Sequence, residues 1–189
     1  MGEIVVSVFG TGRVKPDQPV YGFAEQVGRA LAQAGFVIAN GGYKGIMQAS
    51  AKGAAEAGGT VIGVTCSAFK RSVANEYVTR EMTTCSLDER LNTLVKLGRA
   101  FVVLPGGTGT LLELAMVWEL KNKGFLDAGK GLPNAHQRVG DPRPIVLAGG
   151  FWRPLVDLMA QDDPGCVKAV AFAETPEDVA RLIREGLGS

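Results

Sequence analysis

Short runs of β-branched and aromatic residues recur along this chain, most of them closed by glycine and followed by a stretch with helical spacing. The pattern predicts strands at Ile4 to Phe9, Phe36 to Ala39, Thr60 to Thr65, Ala100 to Leu104, Ile145 to Ala148 and near Val167 to Phe172. Helices are predicted over Val20 to Ala34, Ile46 to Ala57, Leu87 to Leu97, Thr110 to Lys123, Trp152 to Gln161 and Pro176 to Glu185. The stretch Ser67 to Thr84 is ambiguous, with a short strand near Tyr77 to Thr79. Strands that are apolar along their whole length are buried on both faces. Their alternation with helices points to an α/β fold with a doubly wound, mostly parallel sheet and helices on both faces. No repeat or linker divides residues 1–189, so one domain is expected.

Composition removes several function classes. Lys plus Arg number 20 and Asp plus Glu 19, so no broad basic field marks a nucleic-acid partner. Cys66, Cys85 and Cys166 are widely spaced and odd in number, which suggests neither a disulfide framework nor a zinc site. The lone His136 sits in a polar stretch and reads as a surface loop residue, so no metal and no cofactor is expected. No signal-peptide pattern or long apolar span is evident, and the expectation is a soluble cytoplasmic protein without membrane contact. Phe125 to Arg143 is one long irregular piece rich in Gly, Pro, Asn and Asp, expected to be either a lid or a disordered loop.

The 26 glycines are not periodic; they gather in turns after strands, where a backbone can approach a ligand closely. Three such turns stand out: Phe9-Gly10-Thr11-Gly12, Gly41-Gly42-Tyr43-Lys44-Gly45 and Pro105-Gly106-Gly107-Thr108-Gly109-Thr110. The third lies between a buried strand and a helix. Its successive glycines expose N–H groups, the helix start adds partial positive charge, and Thr108 and Thr110 add hydroxyls, which together make a phosphate cradle. It is not a P-loop, because no Lys-Ser/Thr pair follows the last glycine.

Glu113 lies one turn into the following helix, with Leu111, Leu112, Leu114, Met116, Val117 and Trp118 around it. The apolar surroundings predict a helix buried on nearly every side, and they also suit a subunit interface. A carboxylate there needs a partner or a task. It is either catalytic or a structural acid paired in the core or between subunits. Burial would raise its pKa and the helix start would lower it. Arg90, in the helix before the apolar strand, has a planar fork suited to phosphate or carboxylate and is the natural partner.

The run from Pro105 to Glu113 resembles the PGGxGTxxE motif of the Lonely Guy (LOG) family, once labelled "possible lysine decarboxylase". Val8 to Gly12 looks like that family's first loop, Gly41 to Met47 like its GGGxxGLM segment, and Gly58 to Val64 like the strand that follows. The resemblance implies a Rossmann-like homodimer or higher oligomer that hydrolyses the N-glycosidic bond of a nucleoside 5′-monophosphate, AMP-like or a cytokinin riboside monophosphate, to free base and ribose 5-phosphate. By the same resemblance Glu113 and Arg90 are the catalytic pair. Gly106, Gly107, Thr108, Gly109 and Thr110 hold the phosphate, and Gly10, Thr11, Gly41, Gly42, Gly45 and Met47 complete the nucleotide site. Leu87-Asp88-Glu89-Arg90-Leu91 stands where the family has Met-His-x-Arg-Lys, so the arginine is kept and the lysine is replaced by Leu91. Relatives of the same fold carry the molybdenum cofactor without such activity, and a non-catalytic carrier is the alternative. Lysine decarboxylation is rejected, since Lys44, Lys96 and Lys121 lie in no context suggesting a Schiff base.

Overall fold

The apolar runs need cover on both faces, and the chain supplies it by placing a helix after nearly every strand. A computed structural model describes residues 2–69, 73–126 and 143–188. The elements follow in the order β1 (Val5–Phe9), α1 (Pro19–Gln33), β2 (Val37–Asn40), α2 (Ile46–Glu56), β3 (Val61–Cys66), β4 (Arg80–Thr84), α3 (Leu87–Leu97), β5 (Ala100–Val103), α4 (Thr108–Asn122), β6 (Ile145–Ala148), α5 (Arg153–Met159), β7 (Val170–Ala173) and α6 (Pro176–Leu187). A short 3₁₀ turn, Cys166–Ala169, precedes β7.

The strands form one seven-stranded sheet in the order β4-β3-β2-β1-β5-β6-β7. Every neighbouring pair is parallel, so the sheet is wholly rather than mostly parallel. Successive side chains alternate between faces. In β5, Ala100 and Val102 join the core beneath α1, α2 and α6, whereas Phe101 and Val103 join the core beneath α3, α4 and α5. The Rossmann-like, doubly wound class expected from the sequence is therefore the fold observed.

Most boundaries fall within a few residues of expectation, and α3 and β6 coincide with it. Three readings need correction. The strand expected near Tyr77 to Thr79 lies at Arg80–Thr84, because this edge strand is exposed along most of its length and lacks the apolar signature of its neighbours. The last strand begins at Val170, the preceding residues being wound into the 3₁₀ turn. α4 is not buried on nearly every side. Leu114, Val117 and Trp118 face the sheet, while Leu111 and Leu112 are 37% and 45% exposed. An apolar composition all round a helix does not distinguish a core face from a face left for something else. Most of the Phe125 to Arg143 insertion, with His136, lies outside the described residues.

α1 and α2 cross at glycines. A Cβ on Gly28 would overlap the backbone of Ser50, and one on Gly53 would overlap the backbone of Glu25. The two helices touch main chain to main chain, which sets how closely α2 sits on the sheet. Gly22, in the same α1, has open space where its Cβ would be. Gly28→Ala should therefore lower unfolding free energy by about 1–3 kcal/mol through overpacking, whereas Gly22→Ala should raise it by about 0.5–1 kcal/mol through helix propensity. Urea titrations of the two variants beside the wild type check the opposite signs.

Candidate functional site

In an open parallel sheet, loops after adjacent strands part company where the chain reverses its direction of growth, and the crevice left there can hold a ligand. Here the reversal lies between β1 and β5, since β2, β3 and β4 extend one way and β6 and β7 the other. The loop after β1 and the loop after β5 meet at this point. The Thr11 N–H donates to the Pro105 carbonyl at 3.1 Å, and the Ile46 N–H, at the start of α2, donates to the Thr11 carbonyl at 2.9 Å. Trp152 Nε1–H donates to the Leu104 carbonyl at 3.0 Å and pins the end of β5. Between these loops lies a cavity of about 470 Å³.

One wall is the start of α4. Gly107 is its N-cap, no side chain caps it, and its first turn holds no acid. Its free N–H groups thus face the cavity edge, where Gly107, Thr108, Gly109 and Thr110 line the opening. Gly106 does not line it. A Cβ there would collide with the Thr110 side chain, so this glycine lets the buried Thr110 fold back under the loop. The first loop contributes Gly10, Thr11, Gly12 and Arg13.

Arg90 forms the facing wall. α3 starts at a capped turn: the Ser86 hydroxyl accepts from the Glu89 N–H, and the Glu89 carboxylate accepts from the Cys85 N–H at 2.7 Å. Arg90 follows at once. Its side chain is buried, and its Nε–H donates to the Val64 carbonyl at 2.8 Å. Its Cζ lies 5.4 Å from the Tyr43 ring centroid and 5.8 Å from that of Phe69. Among the described residues no carboxylate forms an ion pair with it. Gly41 lies beneath: a Cβ there would occupy the space of the guanidinium and of the Met47 sulfur.

Glu113 stands one turn above Thr110 on the same side of α4, and it lines the same cavity. The residue is half-buried. Desolvation pushes its carboxyl up to about 7, and the Arg90 charge opposes that rise. The upward effect expected from burial thus outweighs the pull of Arg90. Among the described residues no ion pair neutralises Glu113.

Nine of the residues expected at a nucleotide site line the cavity: Gly10, Thr11, Met47, Arg90, Gly107, Thr108, Gly109, Thr110 and Glu113. Gly41, Gly42, Gly45 and Gly106 do not. Gly42 and Gly45 have φ of +74° and +68°, and Gly45 packs against the Thr11 and Gly12 backbone. These glycines shape the loop rather than border the cavity. Leu91, at the lysine position, packs into the core beneath α3 and does not border the cavity. Arg13, Tyr43, Phe69 and Leu87 do border it and were not singled out from the sequence. Tyr43 and Leu87 sit inside recognised motifs, which was a usable signal; Phe69 lies in a stretch without periodicity, which gave none. Among the described residues no three His, Cys, Asp or Glu side chains converge as metal ligands.

Residues 3–132 match the family model of the SLOG cluster4 family. An uncharacterised protein of Archaeoglobus fulgidus is 33% identical over 111 residues, which is 59% of this chain and 71% of that protein. The cytokinin riboside 5′-monophosphate phosphoribohydrolase of Rhodococcoides fascians is 36% identical over 93 residues, 48% of this chain and 47% of the enzyme. Its namesake in Mycobacterium tuberculosis is 35% identical over 97 residues, 50% of this chain and 52% of the enzyme. The match thus spans about half the length of each named phosphoribohydrolase. The molybdenum cofactor carrier protein of Chlamydomonas reinhardtii superposes with a TM-score of 0.76 at 23% identity, covering 100% of both chains. The molybdenum cofactor binding protein of Rippkaea orientalis gives 0.74 at 23% identity, covering 98% of each. At such identity the likeness is one of fold.

The raised pKa of Glu113 ties stability to pH. The folded value of about 7 lies above the ordinary 4.5, so the native state holds this proton more tightly than the unfolded chain does. That contribution is complete below about pH 4.5 and is lost as pH rises through 7. Glu113→Gln, which carries no charge to desolvate, should match the wild type near pH 4 and exceed it by roughly 1–3 kcal/mol near pH 8. Thermal melts of both proteins across that range test the prediction; a gap of equal size at both ends would mean that ionisation of Glu113 is not its source.

Proposed function

This chain belongs to the SLOG cluster4 family, in keeping with the Lonely Guy resemblance of its motifs, and from that premise we propose that it hydrolyses the N-glycosidic bond of a nucleoside 5′-monophosphate. The observation that carries the reading is a desolvated carboxylate, Glu113, facing the same cavity as an uncapped helix start and an arginine that has no ion pair among the described residues. The 5′-phosphate is accepted by the N–H groups and hydroxyls at the start of α4. The ribose then lies over Glu113, and the base reaches the wall formed by Met47, Tyr43, Phe69 and Leu87.

Cleavage passes through a state with positive charge on the sugar ring. The Glu113 carboxylate stabilises that charge and takes a proton from the water that attacks the anomeric carbon. The bond to the base nitrogen breaks, its electron pair leaves with the base, and the Arg90 guanidinium stabilises the negative charge developing there. The base is then protonated by solvent, and ribose 5-phosphate remains. A carboxylate poised near 7 is suited to both duties at neutral pH. The carrier alternative shares the phosphate cradle but gives Glu113 no task. A homodimer is part of this proposal, since the exposed Leu111 and Leu112 adjoin Glu113 on α4 and a second copy would cover them.

Purified protein incubated with AMP, GMP, CMP and a cytokinin riboside monophosphate should release free base and ribose 5-phosphate from at least one of them. Glu113→Gln should lower kcat by about 10²–10⁴-fold. The wild-type kcat/KM should rise with pH through a midpoint near 7, as Glu113 loses its proton. Absence of release from every monophosphate, with Glu113→Ala indistinguishable from wild type, would sink the reading; thermal stabilisation by molybdenum cofactor without turnover would favour the carrier.

A further inference from the structure

We propose that Tyr43 is the positioning residue for Arg90, its tethered ring setting the tilt of the guanidinium at the cavity wall without neutralising its charge. The inference deepens the hydrolase reading, on which its kinetic consequence rests. An arginine side chain has several rotatable bonds, and a group that acts on a reacting bond must be held to within about 0.5 Å. The usual device is a carboxylate fork, and among the described residues Arg90 has none. Its Nε–H bond to the Val64 carbonyl fixes one edge of the plane, and its Nη2 reaches only the soft Met47 sulfur, at 3.9 Å, so the tilt is weakly held by hydrogen bonds. What remains is the surface the plane rests against: Tyr43 at 5.4 Å and, less closely, Phe69 at 5.8 Å, with the space above Gly41 left clear.

The Tyr43 ring is itself held. The Cys66 N–H donates to its hydroxyl at 2.7 Å. The Asn75 side-chain amide donates to the Tyr43 carbonyl at 2.9 Å and to the Gly42 carbonyl at 3.0 Å. Val64 and Cys66 belong to the same end of β3. One strand end therefore anchors the arginine through a carbonyl and the tyrosine through an N–H, and so sets the distance between ring and guanidinium. A carboxylate in the place of Tyr43 would orient Arg90 equally well but would cancel the charge that the leaving group needs; an aromatic face attracts the cation and leaves its outer N–H groups to the ligand. A phenylalanine would offer the face without the tether.

A double-mutant cycle tests this, with AMP (or whichever monophosphate the wild type cleaves) as substrate and ribose 5-phosphate as the probe of phosphate binding. Tyr43→Leu should lower kcat by about 10–30-fold while the Kd for ribose 5-phosphate stays within about threefold, and Tyr43→Phe should fall between it and wild type. Because Tyr43 acts through Arg90, Tyr43→Leu combined with Arg90→Lys should be no slower than Arg90→Lys alone. Multiplying losses in the double variant, or a loss of ribose 5-phosphate binding as large as the loss of kcat, would overturn the assignment. A ligand-free readout separates its failure from that of the hydrolase reading. In ¹³C NMR titrations of labelled glutamate, Tyr43→Leu should move the Glu113 midpoint upward as Arg90→Met does. An unmoved midpoint in Tyr43→Leu beside a moved one in Arg90→Met would refute positioning even if wild type cleaves nothing.

Discussion

β1 and β5 lie side by side and parallel, Val6 opposite Ala100 and Phe9 opposite Val103, although the chain builds three other strands before it returns to pair them. This pairing joins two halves that grow outward in opposite directions. The loops leaving β1 and β5 cannot both follow the sheet, so they open a crevice, and the Thr11 to Pro105 backbone bond sets its width. The pairing rests on bulk apolar burial: the side chains of β5 have no exposed surface, and Phe9 stacks with Phe101 at 6.1 Å between ring centroids. Loss of that contact would move both walls of the cavity at once.

Within the crevice three electrostatic sources are arranged so that none cancels another. Among the described residues the start of α4 presents N–H groups without an acidic cap, Arg90 is steadied by a carbonyl, the Met47 sulfur and two rings rather than by an acid, and Glu113 is desolvated rather than paired. Each choice leaves a group under-neutralised in a partly dry site, where its field is strong. The arrangement lowers stability above pH 7 through Glu113, and it leaves each field available to a ligand that brings an anion and an electron-poor sugar.

Much of this was legible in the residues. The strands announced themselves because double-sided burial permits only apolar side chains, and the glycine turns because only glycine fits against Ile46 at Gly10 or above Thr110 at Gly106. β4 was misplaced because an edge strand carries exposed Arg80, Glu81 and Met82 and has no such constraint. α4 was overread because Leu111 and Leu112 look the same in sequence whether they face a sheet or not. Leu91, where the resembling family carries lysine, packs against the core beneath α3 and does not border the cavity, which its place in a motif did not reveal.

The parallel sheet, the glycine loop as a candidate phosphate cradle, and Glu113 with Arg90 as a candidate pair were already written in the residues, because each follows from local chemistry: periodicity, backbone freedom and a motif of adjacent residues. Which groups share the cavity, that desolvation outweighs the Arg90 charge at Glu113, and that Tyr43 and Phe69 stand against Arg90 emerge only once the chain is folded. These depend on residues brought together from different strands and helices. Their distances are set by the sheet register and by helix packing at Gly28 and Gly53, which no single stretch of chain encodes.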